Sequence, residues 1–200
     1  DLPMANAAVK VTNFPFLEAI AANSDLAGAE IQLVPAVARE FRLQAALQTF
    51  LTAKQNAGQR FDYVFIDCPP SLGLLTINAF AASDSVLVPL QSEFYALEGL
   101  SQLILTVREV REALGTELFI DGVVLTMFDR RVKLAQQVEI DVRDNLKSLV
   151  YKTIIPRTVR LSEAPSYGET ILEYDALGRG AEAYIALGDE FLKRDKKKQK

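Results

Sequence analysis

Phe61-Asp62-Tyr63-Val64-Phe65-Ile66-Asp67-Cys68-Pro69-Pro70-Ser71-Leu72-Gly73 is the stretch that decides the fold. An apolar run from Tyr63 to Ile66 ends in the carboxylate of Asp67, and a stiff Pro-Pro-Ser-x-Gly turn follows at once. The run predicts a buried strand over Phe61–Asp67. In an open parallel sheet such a strand delivers its last side chain to the carboxyl edge, where ligands sit. Asp67 is therefore the candidate catalytic carboxylate. Its expected role is to hold Mg²⁺ indirectly, through water, and to align the water that attacks a phosphate. The plain alternative is an Asp that only caps the turn after it. Pro69 and Pro70 begin a turn whose later part, through Gly73, is suited to respond to a terminal phosphate.

Outward from this stretch, short apolar runs alternate with helical patterns, which predicts an α/β fold with a mainly parallel sheet and helices on both faces. Further strands are expected at Phe16–Ala21, Ser83–Leu90, Phe119–Thr126 and Val150–Ile155. Asn23-Ser24-Asp25 offers an N-cap ahead of Leu26. Helices are expected over Arg39–Ala57, stopped by Gly58, and over Tyr95–Leu114, closed by Gly115. Leu97, Leu100, Leu103, Ile104, Val107, Val110 and Leu114 recur on one face of the second. Two more are expected over Leu134–Leu149 and Gly178–Lys193. One domain over residues 1–193 and a disordered basic tail over 194–200 complete the organisation.

Two more strand ends point to the edge that carries Asp67. Met127 and Asp129 close one strand, and Pro156, Arg157 and Thr158 close another. Met127 and Pro156 could sandwich a flat base, while backbone groups near Pro156–Thr158 read its edge. Each cluster alone is more often an ordinary loop.

Composition excludes several chemistries. The chain has no His and one Cys. Ser-His-Asp and Cys-His pairs and His-based metal sites are out, as is a disulfide within the chain. Cys68 is expected to be a small buried packing residue. No apolar run approaches the roughly 20 residues of a membrane span. The net charge of −4 hides a basic stretch: residues 130–160 carry 8 basic side chains against 3 acidic ones. Charge alone favours a solvated face over a polyanion footprint.

Three further blocks carry a resemblance. Ser24-Asp25-Leu26-Ala27-Gly28-Ala29-Glu30, Gln91-Ser92-Glu93-Phe94-Tyr95-Ala96-Leu97-Glu98-Gly99-Leu100 and Ile155-Pro156-Arg157-Thr158-Val159-Arg160-Leu161-Ser162-Glu163-Ala164-Pro165-Ser166-Tyr167-Gly168 stand in order with the Asp67 stretch. Together they resemble the ParA/Soj family of partition ATPases, within the deviant-Walker-A class, from about residue 9 to residue 193. The resemblance implies a cytoplasmic, nucleoid-associated ATPase. It would dimerise on ATP and Mg²⁺, bind DNA without sequence preference and respond to a ParB-type partner, with no membrane role. It assigns Asp67 the Walker B role and places Pro69, Met127, Asp129, Pro156, Arg157 and Thr158 around the nucleotide. Arg130, Arg131, Lys133, Arg143, Lys147 and Arg160 fall where the family's DNA-facing basic residues lie.

The family's Lys-Gly-Gly-x-Gly-Lys-Thr phosphate loop does not occur in these 200 residues. The chain also opens on Asp1 rather than Met. An N-terminally truncated ParA-type sequence, lacking the phosphate-loop strand and helix, is the expectation. By itself it is expected to be inactive towards ATP. The alternatives are a natural, non-catalytic adaptor for DNA or protein, and a MinD-like, membrane-associated positioning ATPase built on an amphipathic last helix.

Overall fold

The computed structural model describes residues 3–69 and 71–198. They form two compact units. One runs through Asp84 and adds Glu109–Leu118; the other comprises Ser85–Arg108 and the chain from Phe119 onward.

The first unit holds helix α1 (Met4–Ala7) and a hairpin of β1 (Val9–Val11) and β2 (Phe14–Ala19), antiparallel with a bulge at Lys10/Val11. Helices α2 (Asp25–Leu33), α3 (Arg42–Asn56) and α4 (Leu74–Ala82) follow, with a 3₁₀ turn at Arg39–Phe41. Asn78 ties three of these pieces together. Its Oδ1 accepts from Leu43 N at 3.1 Å, and its Nδ2 donates to Arg39 O at 2.8 Å and Leu74 O at 2.9 Å. Lys54 on α3 reaches Glu18 on β2 at 2.7 Å. Within the expected Asn23-Ser24-Asp25 cap of helix α2, Asn23 is the side chain that acts: its Oδ1 accepts the Asp25 N–H at 3.1 Å, and Ser24 makes no side-chain cap bond.

The expected strand Phe61–Asp67 is not formed. Residues 61–69 are irregular, and Phe65 is 72% exposed. A strand exists only through its ladder partners, and β1 and β2 pair with each other, not with this run. Cys68 is exposed for the same reason, not buried. Pro70, in the middle of the expected turn, lies outside the described residues.

The second unit is a three-layer α/β arrangement. Strands β3 (Ser85–Gln91), β4 (Phe119–Phe128) and β5 (Val150–Pro156) make a parallel sheet in that order. Helix α5 (Ala96–Leu114), which belongs to this unit as far as Arg108, follows β3, and α6 (Lys133–Leu146) follows β4. Because strand side chains alternate faces, Val88, Leu90, Val123, Leu125 and Val150 point to one side. There they meet Leu100 of α5 and Val138 and Val142 of α6. Val124, Tyr151 and Ile155 point to the other, against Ala183, Leu187 and Phe191 of the last helix. Short helices α7 (Val159–Glu163) and α8 (Ile171–Tyr174) precede that helix, α9 (Arg179–Lys198).

Residues 194–198 are thus helical rather than a disordered tail. Arg194 explains it. Its guanidinium pairs with Glu190 one turn back at 2.9 Å and donates to Val150 O at 2.7 Å, pinning the helix to the start of β5. Gln199 and Lys200 lie outside the described residues. Among the described residues no helix is long and apolar enough to cross a membrane.

Candidate functional site

The parallel strands of the second unit end together. Phe128 pairs with Pro156 across the ladder, and Arg157 N donates to Phe128 O at 3.0 Å. The register slips between Leu125 and Phe128. Within that slip Met127 adopts a left-handed backbone, φ +51°. A non-glycine residue there costs about 1 kcal/mol or more, and such outliers concentrate at functional sites. The consequence is visible in exposure: Met127 is 42% exposed while Phe128 is buried. The bulge turns an apolar side chain out at the strand edge, as bulges beside sites do.

Asp129 follows. Its carboxylate accepts from Arg131 three times: backbone N at 2.9 Å, Nε at 3.0 Å and Nη2 at 2.8 Å. These bonds, with the charges of Arg131 and Arg157 adding to them, hold its pKa down to about 2. Arg131 in turn is fixed while remaining largely open to solvent. The Thr158 hydroxyl has a local partner. It caps α7, accepting from Leu161 N at 3.2 Å. Met127, Asp129, Pro156 and Arg157 are therefore brought to one edge. Asp67 and Pro69 are exposed residues of the first unit.

The basic residues divide. Arg130, Arg131 and Lys133 follow β4, and Arg160 follows β5, all at the carboxyl edge. Arg143 and Lys147 lie at the far end of α6, a helix of 14 residues and thus about 21 Å long. Arg143 is committed to packing: Nε donates to Glu139 at 2.9 Å and Nη1 to Tyr151 O at 3.1 Å. That departs from the DNA-facing role expected for it. Lys147 is exposed, with φ +48°, at a cavity of about 1020 Å³ that Lys152, Lys193 and Arg194 also line.

Sequence reasoning missed the partners of these cations. Glu163 sits three residues after Arg160, a spacing that places both on one helix face. Tyr174 carries no such signal, because only the fold-back of residues 164–174 brings it to Arg160. Glu190 is likewise found only in three dimensions. It accepts Lys152 N and Thr153 N at 2.9 Å each. Burial opposes its charge, but those bonds and others from Thr153 Oγ1 and Arg194 prevail and lower its pKa.

The carboxyl edge thus carries an exposed thioether, Met127, and a proline, Pro156. Among the described residues no group of three His, Cys, Asp or Glu could hold a metal ion.

Residues 3–120 match the family model described as an AAA domain. The chain is 56% identical over 182 residues to the sporulation initiation inhibitor protein Soj of Bacillus subtilis, covering 91% of this chain and 69% of that protein. It is 48% identical over 199 residues to the chromosome partitioning protein ParA of Caulobacter vibrioides, covering 100% of this chain and 72% of the relative. Among solved structures it is similar to cobyrinic acid a,c-diamide synthase from Mycobacterium smegmatis with bound ADP and magnesium. That match has a TM-score of 0.66 and 38% identity, over 79% of this chain and 61% of the synthase.

Proposed function

The chain belongs to the ParA/Soj family of chromosome-partitioning ATPases, and from that premise we propose that it serves ATP-dependent DNA segregation in the cytoplasm, on the nucleoid. In this reading both units are parts of one ATPase domain, since single relatives align across nearly the whole chain. Met127, Pro156 and Arg157 receive the nucleotide's base, with Asp129 beside them. Asp67 takes the Walker B role through Mg²⁺, and Pro69 belongs to the turn that follows it. The ATP-bound form is a homodimer that holds DNA and answers to a ParB-type partner.

The observation that carries the DNA part is the cluster of Arg130, Arg131, Lys133 and Arg160 at one strand edge. Exposed cations of this kind need only phosphates, so binding is sequence-independent. Fluorescence anisotropy on random-sequence duplexes tests it. The affinity should fall with salt at a log–log slope near −0.9 per phosphate neutralised. Intact binding by Arg130→Glu combined with Arg160→Glu in the full-length protein would show the surface to be elsewhere.

For ATP the proposal is that these 200 residues, which contain no phosphate loop, neither bind it tightly nor hydrolyse it. Turnover by the purified chain, lost in Asp67→Ala, would overturn that.

A further inference from the structure

We infer that Tyr174 is a positioning residue for Arg160: it holds one corner of the guanidinium so that the opposite side meets a DNA phosphate. The inference rests on the DNA-binding reading above.

The chain folds back on itself to build this contact. Thr158 caps α7, which carries Arg160. Gly168, at φ +69°, ends the 3₁₀ turn after it. A capping box between Thr170 and Glu173 then starts α8, whose last residue is Tyr174. Residues 14 apart in sequence thereby meet.

Arg160 Nη1 lies 3.3 Å from Glu163 Oε2 and 3.4 Å from the Tyr174 hydroxyl oxygen. The Tyr174 hydroxyl donates to the same Glu163 oxygen at 3.0 Å. The guanidinium carbon stands 5.6 Å from the centre of the Tyr174 ring, within the range of a cation–π contact. The ring is backed by Tyr167, stacked at 5.1 Å and 26°.

One nitrogen of Arg160 is thus engaged from two sides. Its Nε and Nη2 make no protein hydrogen bond among the described residues, and the side chain is 61% exposed. A structural arginine is normally enclosed by its acceptors. This one is held by a corner, with its other donors in water. A guanidinium has five donors in a fixed fork, so it can keep Glu163 and still take a phosphate bidentately. Holding it beforehand reduces the ordering that binding would otherwise require. Glu163 alone would partly neutralise Arg160, and Tyr174 shares that carboxylate while adding the ring.

A double-mutant cycle in the full-length protein with ATP tests this, read by anisotropy on random-sequence duplex across a salt series. Arg160→Ala should reduce the salt slope by about 0.9. Tyr174→Ala should weaken DNA binding about three- to tenfold and reduce the slope similarly, yet cost nothing further in the Arg160→Ala background. Tyr174→Phe keeps the ring and should lose less; it also serves if the alanine variant fails to fold. Equal losses from the Tyr174 variants in both backgrounds would mean a merely structural role and overturn the inference. So would full binding by the Tyr174 variants where Arg160→Ala binds poorly. If Arg160→Ala itself changes neither affinity nor slope, the DNA surface is misassigned and the inference falls with it.

Discussion

Arg131 grips Asp129 with both arms of its guanidinium, Nε to Oδ1 at 3.0 Å and Nη2 to Oδ2 at 2.8 Å, at the edge where β4 ends. The pair fixes an exposed cation beside the proposed base site. Its carboxyl titrates at about 2 instead of the ordinary 3.8. A depressed pKa contributes stability above the unfolded value, and that contribution fades as pH falls through the folded value. Asp129 should therefore stay ionised from neutral pH down to about its folded midpoint. Carboxyl-carbon NMR should find that midpoint near 2, moving towards 3.8 in Arg131→Ala. A midpoint near 3.8 in the unmodified chain would show that the grip does not persist in solution.

Glu190 makes the opposite end of the sheet depend on one carboxylate. It serves two backbone N–H groups of β5 and Arg194 at once. Hydrogen bonds to a charged group are each worth about 1.5–3 kcal/mol, and losing the acceptor strands two donors. Glu190→Ala should cost about 2–3 kcal/mol in urea unfolding. Its pKa is lowered on folding. The difference between wild type and variant should thus shrink as pH falls through the folded pKa of Glu190.

Leu125 is fully buried between α5 and α6 on the central strand. Leu125→Ala removes a fully buried side chain from that cluster. A loss of about 2–5 kcal/mol is expected, measurable as a lowered urea midpoint at unchanged m-value. A loss below about 1 kcal/mol would mean that the second unit's core is not packed as described.

The second unit was legible in the sequence because its signals are local. Val86–Val88 and Phe119–Thr126 announce strands through apolar runs, and the leucine stripe of α5 has helical spacing. Gly115, at φ +65°, closes that helix where expected. The first unit was less legible, for two physical reasons. Leu74–Ala82 is apolar nearly all round, so α4 has no polar face to give it a period. Phe61–Asp67 has strand composition, but a strand depends on a neighbour that composition cannot supply. At the candidate site, chain order located Met127, Asp129 and Pro156. It could not show that Thr158 is spent on a cap, that Met127 sits on a bulge, or that Tyr174 returns to Arg160.

Arg143 and Arg131 look alike in a count of basic residues and should behave oppositely in experiment. Arg143 spends its donors on Glu139, Tyr151 O and Lys152 O, tying α6 to β5. Arg131 is paired only within its own turn and faces water. Arg143→Ala should lower stability by about 1–2 kcal/mol, the worth of a charged hydrogen bond at a half-exposed site, and leave the salt slope of DNA binding unchanged. Arg131→Ala should barely alter the urea midpoint and reduce the slope by about 0.9. The reverse pattern, a slope change at Arg143 with full stability, would return the far end of α6 to the DNA surface.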